Sequence, residues 1–237
     1  MDQIVVLATA FFAAAFALLS GFGLGTILTP VFLLFYEPKV AVLLVAIVHL
    51  LNNLLKFGLF RKHIDFEILK RFGVLAVLGS FIGAFGQIYV ANEMLQKLIG
   101  IILIFLGTKE WLPKKLEFHF PKAIDPIGGF LSGLIGGLIG NQGAVRSAFL
   151  LNYQISKETF LATGVVIACA IDLTRIPVYL VSYGQVLSGA WPVLGILVGV
   201  TFLGTLFGKV LLKRFSVAHF RKFIGAVLVF MGIYFCF

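Results

Sequence analysis

Gly21-Phe22-Gly23-Leu24-Gly25 interrupts one apolar stretch of this chain, and Gly140-Asn141-Gln142-Gly143 interrupts another. Downstream of each break the same residue types recur in the same order. Lys39 is echoed by Lys157, Gly79 by Gly204, Gly83 by Gly208, Lys97 by Lys222, Gly100 by Gly225 and Gly107 by Gly232. The first pair lies 118 residues apart and the later ones 125, so a small net insertion falls within the second copy. Two similar halves, each opening with an interrupted apolar helix, are the sequence pattern of a membrane transporter whose site sits at the breaks.

Composition assigns the medium. Of 237 residues, 60% are hydrophobic and only 12% are charged, and the mean hydropathy is +1.08. So few charges cannot cover that much apolar surface in water. The whole chain, residues 1–237, therefore reads as one membrane domain: a first repeat at 1–112, a linker at 113–123 and a second repeat at 124–237. The start of the chain shows no basic n-region and no small-residue cleavage site, so no removable signal peptide is expected. The net charge of +9 lies mostly in short loops. There it speaks of topology and inner-leaflet contact rather than nucleic-acid binding. Cys169 and Cys236 both sit in apolar stretches without a Cys or His at ligand spacing, so neither a disulfide framework nor a metal site is expected. No cofactor is implied.

Eight apolar segments run roughly over 3–35, 38–60, 68–90, 95–112, 124–153, 157–182, 188–212 and 217–237. Six have the length of a helix that crosses a ~30 Å hydrocarbon core. Segments 3–35 and 124–153 are longer, and each is broken about two thirds of the way along. Each is either one kinked span or a re-entrant hairpin that dips in and returns. Irregular backbone at membrane depth is tolerated only where protein or a cavity covers it.

The distribution of basic residues separates these arrangements. Of 19 Lys and Arg, three (Lys56, Arg146 and Arg175) lie within spans. If all eight segments cross, the other 16 divide evenly between the two faces. If the two broken segments are hairpins, Lys39 and Lys97 stay alone on one face and the remaining 14 gather on the other. The second outcome is the expected bias. It predicts an all-α polytopic protein with two inverted repeats, each a glycine-broken hairpin plus three transmembrane helices. The basic loops are then cytoplasmic, both termini lie outside, and the tips at Gly21, Gly23, Gly25 and Gly140 meet near the midplane.

The polar residues inside the spans are the candidate site. Asn141, Gln142, Arg146 and Ser147 follow the second break. The helix starting near Gly143 offers free N–H groups and the positive end of its dipole. Arg146 adds a planar two-pronged donor suited to an oxyanion. Two roles stand for Arg146: substrate contact, or an ion pair with Asp172 that locks two helices. Thr26 is the polar side chain of the first break. Asp172 and Arg175 share a helix face, and Asn53 and Lys56 are their counterparts 119 residues earlier. Lys56 and Arg175 would line an anion path on either side of the midplane. Alternatively, Asp172 holds an Arg in place and Lys56 snorkels to the basic face. Asp172 or His49 could also exchange a proton, although a buried His is more often packing glue. Gly79-x-x-x-Gly83 and Gly204-x-x-x-Gly208 are small-residue helix contacts. No nucleophile–base set, metal cluster or dinucleotide fingerprint points to an enzyme.

These residues resemble the sulfite exporter TauE/SafE family, also called the toluene sulfonate uptake permeases. The resemblance rests on Gly21-Phe22-Gly23-Leu24-Gly25-Thr26 with Pro30, and on Arg61-Lys62-His63-Ile64-Asp65. In the second half it rests on Gly140-Asn141-Gln142-Gly143-Ala144-Val145-Arg146-Ser147, Ser156-Lys157-Glu158, Asp172-Leu173-Thr174-Arg175 and Pro177-Val178-Tyr179. It covers almost the whole chain. Phe22, Leu24, Asn141 and Gln142 interrupt the three successive glycines commoner in the family. The resemblance implies an inner-membrane permease for sulfite or organosulfonates, built as two four-segment repeats. The expected partners are a small anionic substrate and the lipid bilayer, with a homo-oligomer left open. A channel-like conduit and a non-transporting scaffold remain the alternatives to a carrier.

Overall fold

Two glycines with left-handed φ, Gly23 at +84° and Gly140 at +83°, mark where the two broken segments turn. A side chain at either position would strain the backbone. The computed structural model describes residues 2–20, 23–111, 121–211 and 218–237. The predicted tip residue Gly21, most of the 113–123 linker with Lys114 and Lys115, and the basic residues Lys213 and Arg214 lie outside the described residues.

Among the described residues the chain is all-α, with ten helices in two sets of five. In the first half these are α1 (Asp2–Ser20), α2 (Leu24–Leu33), α3 (Pro38–Phe60), α4 (Phe66–Tyr89) and α5 (Asn92–Lys109). In the second half they are α6 (Asp125–Ile139), α7 (Gly143–Leu150), α8 (Lys157–Tyr183), α9 (Trp191–Leu211) and α10 (Ala218–Cys236). Local chemistry sets several boundaries. Pro38 opens α3, where its missing N–H costs nothing. The Asp65 carboxylate accepts from the N–H groups of Glu67 and Ile68 at the start of α4, and Ser156 caps α8 through the N–H of Thr159. Gly140 ends α6 in the left-handed conformation typical of a C-terminal glycine.

Five described stretches are long and apolar enough to cross a membrane: Pro38–His63, Phe66–Tyr89, Lys122–Ile139, Lys157–Leu187 and Trp191–Val210. This differs in detail from the six spans expected. The α5 and α10 segments are helical over nearly the predicted ranges. However, Glu93, Lys97 and Lys109 lie in α5 and lower its apolar character. The added stretch, Lys122–Ile139, is the long arm of the second hairpin.

That arm does not continue across. After Gly140 the chain returns through α7, and the Tyr153 hydroxyl beyond α7 donates to the Asp125 carboxylate at the start of α6. Burial, and then this hydrogen bond, push the Tyr153 hydroxyl up and keep it a donor. Lys122 sits 5.1 Å above the Tyr153 ring. Both ends of the α6–α7 segment therefore lie together, as in a hairpin. The short arm α2 likewise packs back along α1.

Contacts between loops sort the rest into two ends. At one end the Lys39 ammonium donates to the Ile88 carbonyl at 2.8 Å, Asn92 donates to Glu37 at 3.1 Å, and Tyr183 donates to Gln87. Cys236 Sγ lies 3.8 Å from the Lys97 carbonyl at the same end. At the other end the Asp65 N–H donates to Thr163 Oγ1 at 2.9 Å. There Lys209 lies over Phe60 and Lys222 over Trp111.

The packing pairs exchange under a swap of the halves. α4 lies on α6 as α9 lies on α1, and α3 meets α8 while α5 meets α10. A Cβ on Gly79 would fall 2.1 Å from the Phe130 carbonyl, and one on Gly204 would fall 2.2 Å from the Phe11 carbonyl. Gly100 faces Gly232 and Gly107 faces Gly225, each against the other's carbonyl. Ser80 donates to the Ile171 carbonyl as Asn52 donates to Thr205. The glycine echoes in the sequence are thus contacts between backbones.

Such contacts leave no room for side chains. We expect Gly79→Val and Gly204→Val each to destabilise by about 1–3 kcal/mol. Gly58→Ala and Gly199→Ala, where a Cβ meets nothing within 4 Å, should be far milder. Thermal unfolding of the purified variants in detergent checks this contrast.

Candidate functional site

The two breaks touch. The space a Cβ would fill on Gly25 lies 3.3 Å from the Gly140 carbonyl, and the corresponding space on Gly23 lies 4.0 Å from the Gly143 Cα. Thr26 donates to Asn141 Oδ1 at 2.9 Å, tying the start of α2 to the turn before α7. Gly23, Gly25, Thr26, His49, Gly140, Asn141, Gln142 and Gly143 enclose a void of about 10 Å³, space for roughly one water. Two helices, α2 and α7, begin at this void. Their N-terminal N–H groups and dipoles give it a positive character without any charged side chain.

Beside the void lies a closed network. Asp172, fully buried on α8, accepts from Arg175 Nε at 2.9 Å and Nη2 at 2.8 Å on one carboxylate oxygen. Its other oxygen lies 2.6 Å from His49 Nδ1 on α3. Gln142 Nε2 reaches Asp172 at 3.3 Å, and Asn53 Nδ2 lies 3.1 Å from the His49 ring. Arg175 Nη1 donates to the Gly136 carbonyl at 2.8 Å, and the Tyr179 hydroxyl donates to the Gly137 carbonyl. Ser132 on α6 donates to the Gln142 carbonyl at 2.9 Å. Asp172 therefore fixes both the α6 arm and the turn at Gln142.

Arg146 stands apart from this network. One turn into α7, it is nine-tenths buried, and its Nη1 has no hydrogen-bond partner. It makes no ion pair among the described residues, so the lock between Arg146 and Asp172 is not formed; Arg175 and His49 hold that carboxylate instead. A Cβ on Gly164 would lie 3.5 Å from Arg146 Nε, so the α8 backbone passes close to the guanidinium. Lys56 on α3 is also buried, at 5% exposure, and does not snorkel to the basic end. It makes no ion pair among the described residues.

The sequence candidates thus fall into three groups. Thr26, Asn141, Gln142, Gly143 and His49 meet at the void with Gly23, Gly25 and Gly140. Asp172, Arg175 and Asn53 support it. Arg146 and Lys56 are buried outside both groups, without an ion-pair partner among the described residues. Tyr179, Ser132 and the buried unpartnered Thr29 hydroxyl were not singled out from sequence. Tyr179 alone carried a signal, since it lies two turns beyond Asp172 on the same face.

The family profile described as Sulfite exporter TauE/SafE matches residues 6–235. No curated protein and no solved structure matches the chain. The match spans both breaks, the Asp172 network, Lys56 and Arg146, and it shows that this chain belongs to the sulfite exporter TauE/SafE family of membrane transporters.

Proposed function

We propose that the chain is a carrier that exports a small sulfur-containing oxyanion, with the anion bound where the two helix breaks meet. One observation carries this reading: the Arg146 guanidinium is buried one turn beyond a break with an unpartnered Nη1. An unpaired buried charge is costly unless a counter-ion joins it. An Arg fork, free N–H groups at the starts of α2 and α7, and the amides of Asn141 and Gln142 make a donor set for sulfur oxyanions.

In this reading the two repeats are inverted across the membrane and the tips lie near its midplane. The loop contacts support it, because they bring residues 61–65 and residue 163 to one end and residues 39 and 97 to the other. The basic end faces the cytoplasm and both termini face outside. The void is small, about 10 Å³, and rocking of the repeats would widen it toward either side. A membrane potential negative inside favours anion export by ~2.3 kcal/mol per charge per 100 mV, so export needs no coupled ion. Arg175 acts by holding Asp172 and the α6 carbonyls rather than by meeting the anion.

Two outcomes test this. Sulfite, sulfate or an organosulfonate should raise the unfolding temperature of the purified protein. Arg146→Gln should weaken that binding by about 10–100-fold while remaining folded, as expected for a lost charged hydrogen bond. An unfolded Arg146→Gln with no anion response in wild type would return the residue to a structural role. For topology, Lys39→Cys should label from outside, and Lys62→Cys and Lys157→Cys from inside. Labelling of Lys157→Cys from the same face as Lys39→Cys would sink the inverted arrangement.

A further inference from the structure

The neighbouring amides of Asn141 and Gln142 are held in opposite senses. Thr26 donates to Asn141 Oδ1 at 2.9 Å, which leaves the Asn141 side chain its NH2 to offer. Gln142 is fixed the other way. Its Nε2 reaches Asp172 Oδ1 at 3.3 Å. Paired with Arg175, the Asp172 carboxylate only accepts, so the Gln142 amide cannot be turned over. His49 holds the other oxygen of Asp172 and keeps the carboxylate in place. The end of the amide left over is Oε1. Gln142 lines the void at 2% exposure, and its Oε1 has no hydrogen-bond partner among the described residues. Beside the N–H groups of the two helix starts, the Gln142 side chain thus adds an acceptor.

An acceptor among donors discriminates between anions. A buried acceptor left without a donor is costly. The void has room for roughly one water. Displacing a water that served Oε1 loses affinity unless the newcomer repeats its hydrogen bond. An anion that carries an O–H can donate to Oε1 while its bare oxygens take the N–H groups of α2 and α7. A fully deprotonated oxyanion sets lone pair against lone pair. We propose that Gln142, oriented by Asp172, makes the site read a proton on its anion. The site selects oxyanions that keep an O–H, such as hydrogensulfite in its O–H form, over fully deprotonated ones such as sulfate.

This proposal rests on the anion-carrier reading above and can fail separately from it. Asp172 is the ionisable side chain bonded to Gln142. α8 also carries Cys169 and Arg175, each three residues from Asp172, and α3 carries His49, with Lys56 about two turns beyond. α2 carries no ionisable residue, α6 carries Asp125 at its far end, and Arg146 follows on α7. Titration of these groups acts on every anion. Sulfite is therefore referred to methanesulfonate, which keeps one charge and no O–H throughout. Affinities are measured by thermal-shift titration of the purified full chain. At mildly alkaline pH hydrogenphosphate and sulfate share charge and shape and differ in one O–H. Wild type should bind hydrogenphosphate at least about tenfold more tightly than sulfate. Sulfite affinity, relative to methanesulfonate, should fall about tenfold per pH unit once hydrogensulfite loses its proton. Gln142→Met, checked for folding by its unliganded unfolding temperature, should reduce the hydrogenphosphate preference to about twofold or less. Should that variant not fold, the wild-type pH profile decides. Sulfate bound as tightly as hydrogenphosphate, or a sulfite profile that is flat or rises with pH, would overturn the need for an O–H and leave the carrier reading intact. A preference that survives in folded Gln142→Met would overturn the role of Gln142. Binding of no probe by wild type would remove the carrier reading itself.

Discussion

A helix that stops among apolar helices exposes N–H and C=O groups that apolar side chains cannot satisfy, and two such stops meet in this protein. Each is covered by the other. Gly25 closes on the Gly140 carbonyl, Gly23 on Gly143, and Thr26 on Asn141. Much of the remaining architecture follows from this requirement. The hairpin arms must be held at a fixed depth, so α6 is pressed backbone to backbone on α4, and α1 on α9. The glycines of the G-x-x-x-G pairs allow the approach. Where a carbonyl still projects from the α6 arm, Arg175 or Tyr179 donates to it. Neither half can bury its own break, which gives duplication a physical purpose: the second copy covers what the first exposes.

Positive charge concentrates where these stops meet. The starts of α2 and α7 bring partial charges, and Arg146 brings a buried guanidinium one turn further on. In the proposed carrier these donors would favour an anion. Asp172 is the exception that makes the arrangement tenable. It fixes Arg175 and steadies His49 and Gln142, so the charge left unpaired is confined to Arg146 and Lys56.

Much of the fold was legible because its constraints act on backbone and on lipid, and both mark the sequence strongly. Close approach demanded glycine at Gly79, Gly83, Gly204 and Gly208, and left-handed turns demanded it at Gly23 and Gly140. The site was legible in its membership but not in its pairing. Arg146 and Arg175 are both plausible partners of Asp172 in a string of letters. Spacing of three residues on one helix favours Arg175, but the depth at which α7 begins had to be known to exclude Arg146. His49 reads as packing glue from sequence, and its bond to Asp172 across α3 and α8 is of that kind, but the partner could not be named until the two helices were laid together. Tyr179 entered only through the family motif although it shares the face of Asp172, and Ser132 and Thr29 were missed because a hydroxyl in an apolar span carries no periodic signal. Its partner is a carbonyl, which every residue possesses.

The correspondence of halves fails at one position. Asn53 stands where the repeat would put an acid to match Asp172, so the first half has no carboxylate to restrain Lys56 as Asp172 restrains Arg175. A movement that exchanged the conformations of the two halves would require the Asp172 cluster to loosen on one side, with only an amide to replace it on the other. The two end states of such a cycle are therefore unequal in energy. In the proposed carrier cycle the protein without its anion would rest in one posture, and the anion would have to supply the difference before the other side opened.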